Sequence, residues 1–211
     1  MVDSRINNYS GKPQYNASYI LRGLEGKLPS DAYCMIAICL TDLYPRDEWN
    51  FVFGLAALRN RTGVFSFARY QESFFSDSKT YAKEDKSQVL LRSAKVMVHE
   101  IAHMFGLQHC IYFSCIMNGT NHFEENDKRP PFMCPVCLRK LQHNVGFDML
   151  ERYGALMNVC KELGGKFEPA RAWYENVYNQ ILQAYGPDYK SGKMEKESQG
   201  EKIEVEKKKL Y

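Results

Sequence analysis

The chain of 211 residues contains no long apolar run. Its longest unbroken stretch, Ala32 to Leu40, is nine residues. A membrane-spanning helix needs about 20, which excludes a helical membrane protein. The opening MVDSRINNYSGK lacks the apolar centre of a secretory signal, so the chain is expected in the cytosol or nucleus. Three Asn-x-Ser/Thr sequons, at Asn16, Asn60 and Asn118, are then expected to stay unmodified. An excess of one charge is missing too. Lys plus Arg is 28 against 25 acidic residues, and outside 187–211 the balance is only +2. That is not the footprint of a nucleic-acid binder. Neither a nucleic acid nor a membrane is an expected partner, and the chain is expected to act as a monomer. Cysteine, by contrast, is present in an odd number, seven. A disulfide framework does not suit a reducing compartment, which leaves metal binding or plain burial to explain these thiols.

Apolar residues make up 45% of the chain and aromatics 13%, enough to close a core. One domain is expected over residues 1–186. The segment 187–211 is dense in Lys and Glu and is expected to be a disordered tail. Ile20, Leu21, Leu24 and Leu28 form a helical stripe behind Asn16, a plausible N-cap, and Pro29 stops the run. AYCMIAICL reads as a strand buried on both faces, and Phe51–Leu58 and Val64–Tyr70 as two more. The clearest helix is Asp85–Phe105, with Asp85 and Gln88 as a capping box and a stripe of Leu91, Ala94, Val98, Ala102 and Phe105. Leu107–Cys137 shows no periodicity and reads as loop. Two helices follow, about Phe147–Leu163 and Pro169–Tyr185.

The long helix carries His99-Glu100-Ile101-Ala102-His103. Side chains four apart share one helix face, so both imidazoles converge on one point suited to Zn²⁺. Glu100 is badly placed to bind the same ion but well placed to take a proton from a water held there. Gly106 can take positive φ and turn the chain, bringing His109 back as a third ligand. Three histidines with one open position are a catalytic rather than a closed structural arrangement. Met117, eight residues on, is either a floor beneath these rings or an ordinary core methionine.

Cys110-x4-Cys115 is followed by Cys134-x2-Cys137, two close thiol pairs at zinc-site spacing. Four thiolates leave no open position, so such a site is structural. The alternatives are four buried thiols or a redox pair, and His122 is a possible substitute for one cysteine. Cys34, Cys39 and Cys160 lie on apolar stripes and are expected in the core, and His143 on the surface.

HEIAHMFGLQHC, then CIM, then CPVC, in this order and spacing, resembles the archaemetzincins, a branch of the metzincin metallopeptidases. DAYCMIAICLTDLYP, VFSFARY and NVGFDMLERYGAL extend the likeness over most of residues 30–185. The resemblance implies a catalytic zinc on His99, His103 and His109, with Glu100 as base and Met117 in the Met-turn. It also implies a structural zinc on Cys110, Cys115, Cys134 and Cys137, hence two zinc ions per chain. The implied fold is α/β (α+β): a small twisted mixed sheet, an active-site helix, the Met-turn and C-terminal helices. The sheet's first strand then has to come from residues 1–10 or be missing. Ala102 stands where many metzincins have Gly, and no tyrosine follows Met117 to stabilise an oxyanion.

The expected function is therefore zinc-dependent hydrolysis of short peptides. Val64–Tyr70, just before the long helix, is the candidate strand for pairing with substrate. Two rivals stand beside this reading. One is a zinc-stabilised interaction module with little or no turnover, and the other is a nucleic-acid binder built on the four cysteines. Glu100 argues against the first and the weak net charge against the second.

Overall fold

The computed structural model describes residues 3–71, 74, 86–120, 123–186 and 189. The chain divides into two compact units, Met1–Leu141 and Gln142–Tyr211. In the first, β1 (Ser4–Ile6) and β2 (Pro13–Asn16) lead into α1 (Ala17–Leu24), so residues 1–10 do supply the first strand. Asn16 caps α1 as expected, its side-chain oxygen accepting the amide of Tyr19 at 3.1 Å. Then come β3 (Met35–Cys39), β4 (Asp42–Tyr44), β5 (Gly54–Ala57) and β6 (Thr62–Ser66).

These strands form two small mixed sheets, ordered β1-β2-β4 and β3-β6-β5. Each combines a parallel and an antiparallel pairing. A bridge between Leu43 and Val52 connects β4 to the segment leading into β5. Ala17, Leu21, Leu43 and Val64 make the core between α1 and the strands, with Ala37, Leu55 and Ala57 packed on it.

The central strand is β6, buried at every residue and paired on both sides. Two expectations are corrected here. The strand expected over Val64–Tyr70 ends at Ser66 and passes into a 3₁₀ turn at Ala68–Tyr70. The reason is Arg69, which turns inward and grips Asp42 with two 2.7 Å bonds, Nε to Oδ1 and Nη2 to Oδ2. Gln14 donates to the same carboxylate at 2.8 Å, and the guanidinium lies 3.8 Å above the Phe51 ring. With neighbours on both sides, β6 has no free edge to offer a substrate strand. The run Ala32–Leu40 also differs from expectation: among the described residues β3 pairs only with β6, and Ile38 is 54% exposed.

α2 runs over Lys86–Met104. Asp85, the expected cap, lies outside the described residues. The buried residues of α2 are Ser93, Lys95, His99, Ala102 and Met104, so that polar side chains share the inner face. Ala102 of the expected apolar stripe is among them, whereas Val98 is exposed. The segment read as loop contains α3 (Phe123–Lys128) and the start of α4 (Pro135–Val145). Arg92 of α2 pairs with Asp127 at 2.6 Å, and the Lys95 ammonium donates to the carbonyls of Asn126 and Asp127. These bonds replace the apolar stripe that would have made α3 visible in the sequence.

The second unit contains α5 (Met149–Leu163) and α6 (Glu168–Tyr185), joined by a 3₁₀ turn at Gly165–Phe167. Asp148 caps α5 through the Glu151 amide at 3.0 Å. Tyr153 of α5 packs against Trp173 and Tyr174 of α6, with ring centres 6.3 and 6.0 Å away. Cys160 is buried, whereas Cys34 and Cys39 are only half-buried, and His143 is exposed. Apart from Tyr189, the expected tail lies outside the described residues. No described helix is long and apolar enough to cross a membrane.

Candidate metal centre

His99 and His103 stand one turn apart on α2 and present their rings to each other. The helix ends at Met104, and Gly106 takes φ +86°, a conformation open to glycine. Its amide returns to the His103 carbonyl at 2.8 Å, and that of Leu107 to Ala102 at 3.1 Å. This tight stop sends the chain back so that His109 joins the pair. The Nε2 atoms of His103 and His109 lie 3.0 and 3.2 Å from that of His99.

Hydrogen bonding fixes the form of two rings. His99 Nδ1 faces the carbonyl of Ile116 at 2.8 Å, and His103 Nδ1 that of Leu107 at 2.6 Å. A carbonyl can only accept, so each Nδ1 carries the hydrogen and each Nε2 is bare. Arg129 Nη1, a donor 2.9 Å from His99 Nδ1, then packs against that nitrogen without a hydrogen bond. Burial pulls His99 down to about 3, and burial together with the His103 charge lowers His109, so both rings are held neutral. Bare lone pairs at 3.0 Å repel unless a cation lies between them. Tetrahedral zinc with bonds of about 2.0–2.1 Å sets its nitrogens about 3.3 Å apart, close to what these rings show. The donor set fits zinc.

Glu100 is half-buried next to His99. Burial raises its carboxyl above the usual range, opposed by the charges of Arg129 and His109. A raised carboxyl is a stronger base once ionised.

Cys110, Cys115, Cys134 and Cys137 converge, all four sulfurs lying within 4.8 Å of one another. Cys110 and Cys134 are 3.9 Å apart, near the spacing of about 3.8 Å that tetrahedral Zn–S bonds of about 2.3 Å require. Backbone amides point at the sulfurs: Cys134 and Met117 at Cys115 (3.2 and 3.4 Å), and Cys137 at Cys134 (3.4 Å). Burial pushes the thiols of Cys115 and Cys137 up. Burial also acts on Cys110, but the amides of Tyr112 and Phe113 outweigh it and lower that thiol. Such a nest of amides suits thiolates around a cation. Seven of the residues singled out in the sequence thus fall in two groups, joined by the His109–Cys110 peptide bond. Met117 is fully buried, and its carbonyl accepts the Cys110 amide at 2.9 Å. His122 lies outside the described residues.

Three residues escaped the sequence reading. Asn118 binds the loop together, donating to the carbonyls of Cys110 (2.6 Å) and Phe113 (2.9 Å) and accepting from the Cys115 amide (2.8 Å). Gly119 lies against His109, where a Cβ would sit 3.1 Å from Nδ1. An Asn-Gly pair is a turn signal, so these two were open to notice. Arg129 is buried beside His99 with its Nη1 2.9 Å from Nδ1, and nothing in the charged run around it announces that.

The fold is similar to that of solved zinc peptidases. An archaemetzincin from Methanopyrus kandleri superposes with a TM-score of 0.51 at 31% identity, over 64% of this chain and 67% of that one. A zinc-dependent peptidase from Methanocorpusculum labreanum does so with a TM-score of 0.52 at 26% identity, over 64% and 78%. The model of peptidase family M54 matches residues 4–143, and the chain belongs to that family. Archaemetzincin-2 of Macaca fascicularis is 47% identical over 173 residues, which is 72% of this chain. The chain spans about half the length of that relative, 48%.

Proposed function

We propose that this chain is a zinc-dependent metallopeptidase acting on short peptides, with His99, His103 and His109 holding the catalytic ion and Cys110, Cys115, Cys134 and Cys137 a structural one. The observation that carries the reading is the convergence of the ring nitrogens of three histidines, with the half-buried Glu100 directly after the first of them. Bound there, zinc supplies Lewis acidity, polarising the scissile carbonyl and making a water acidic near neutral pH. The chain's own part in the chemistry is proton transfer. A carboxylate oxygen of Glu100 takes the proton of the attacking water and passes it to the nitrogen of the leaving amine. The carbonyls of Ile116 and Leu107 keep His99 and His103 in the ligating form throughout, because each holds the Nδ1 hydrogen. Membership of peptidase family M54 and likeness to solved zinc peptidases support the same conclusion.

The test is cleavage of a mixed peptide library by wild type and by Glu100→Gln, with zinc content measured on both. Glu100→Gln should retain zinc and lose at least about 100-fold in rate, the usual contribution of a general base. Full activity in that variant would remove Glu100 from the mechanism. A wild-type chain that holds zinc at the histidines yet cleaves nothing would leave a zinc-stabilised interaction module as the better account.

A further inference from the structure

Arg129 follows directly on α3 and is only 5% exposed, yet among the described residues none of its hydrogen bonds goes to a carboxylate. Its acceptors are amide oxygens: Nη2 donates to the Asn126 side chain at 2.7 Å and Nη1 to the Asn118 carbonyl at 3.0 Å. Nε has no hydrogen-bond partner among the described residues. Burying a guanidinium on neutral acceptors, with one donor orphaned, is unfavourable for folding. What the arrangement does achieve is positional. Nη1 lies 2.9 Å from His99 Nδ1. Because the Nδ1 hydrogen goes to Ile116, this is a packing contact between two donors, and it sets the guanidinium edge against the ring on the side away from the imidazole cluster. The same nitrogen holds the carbonyl of Asn118, and the next residue, Gly119, is the surface on which His109 rests. Asn126 in turn belongs to α3, which Arg92 and Lys95 clamp to α2.

We infer that Arg129 is a positioning residue for the histidine cluster, setting His99 directly and His109 through the Asn118–Gly119 backbone. The inference rests on the reading of these histidines as metal ligands. Nη1 meets His99 and the Asn118 carbonyl while Nη2 is anchored on Asn126, an arrangement of two fixed nitrogens that a lysine ammonium cannot reproduce.

The experiment measures metal binding rather than turnover, on the full chain, for wild type, Arg129→Lys, Arg129→Met and Asn126→Leu. Zinc affinity at each site is obtained by chelator competition, and the absorption spectrum is recorded with Co²⁺ at the histidine site. Both Arg129 variants should lose about 10–100-fold in affinity at the histidine site, as for other groups that orient metal ligands. The four-cysteine site should stay filled, and the Co²⁺ spectrum should shift. Asn126→Leu removes one anchor of the guanidinium without touching either histidine and should give a smaller loss in the same direction. It serves also if Arg129→Met fails to fold. Wild-type affinity and an unshifted Co²⁺ spectrum in Arg129→Lys or Asn126→Leu, even with a lower melting temperature, would reduce Arg129 to a structural role and overturn the inference. Absence of metal at the histidines of wild type would instead overturn the ligand reading itself.

Discussion

The Nδ1–H of His99 donates to the carbonyl of Ile116 across 2.8 Å, and Ile116 is the residue directly after Cys115. His109 and Cys110 are neighbours as well. The four-cysteine loop therefore touches the histidine cluster at two points, by one peptide bond and by one hydrogen bond. Cys134→Ser should consequently weaken zinc binding at the histidines by about 10–100-fold, although Cys134 contacts none of them. His99→Ala should leave the four-cysteine site filled, because that loop is closed by its own bonds from Asn118 and to Met117. Both zinc affinities measured in both variants decide the point. Unchanged affinity at the histidines in folded Cys134→Ser protein would mean that the two sites are independent.

The two sites should also release metal unequally. Fully folded chain should contain two zinc ions by elemental analysis. Mild chelation should take the one at the histidines first, because His109 is exposed whereas three of the four sulfurs are buried. Removal of the more slowly released ion should be accompanied by loss of folded structure, followed by circular dichroism. A single zinc in folded chain would remove the structural site from this account.

Gly119 offers a steric test of the third ligand. A Cβ at this position would lie 3.1 Å from His109 Nδ1 and 3.3 Å from Cε1, so even alanine makes the ring give way by tenths of an ångström. Gly119→Val should lower zinc affinity at the histidines by about 10-fold or more, and Gly119→Ala by less. The four-cysteine ion should not respond. Equal affinities across the series would show that His109 needs no support from this segment.

Asp42 and Arg69 provide a stability prediction that involves none of the proposed metal ligands. Their side chains are 1% and 7% exposed, and the pair is bidentate. Asp42→Ala leaves a buried guanidinium without its carboxylate and should destabilise the chain by about 3–5 kcal/mol in urea unfolding. Asp42→Leu combined with Arg69→Met should recover most of that loss, since a buried ion pair is often replaceable by apolar side chains. A double variant no more stable than Asp42→Ala would show that the 3₁₀ turn needs this pair specifically.

How far the sequence could be read depended on whether an element is specified locally. α1 was legible because Asn16 and the stripe of Leu21 and Leu24 are local signals, and α6 because its own pattern is periodic. α3 was not, because six residues held by Arg92, Lys95 and Arg129 carry no apolar period of their own. The end of β6 was not either. Its residues suit a strand past Ser66, and only Asp42, 27 positions earlier, turns Arg69 out of the sheet.

What the amino-acid sequence determined alone was the pair of proposed ligand sets. Spacing of four on a helix brings His99 and His103 together, Gly106 permits the turn to His109, and the cysteine pairs close their own loop. Such constraints act within a few residues, so they survive translation into one dimension. The tertiary structure alone decided which tautomer His99 and His103 adopt, that Gly119 bears on His109, and that a guanidinium from beyond α3 stands behind His99. Apart from the short His103–Leu107 bond, those relations join residues 10 to 30 positions apart. No local propensity encodes a contact of that kind, because the energy that makes it favourable exists only once both partners have left water.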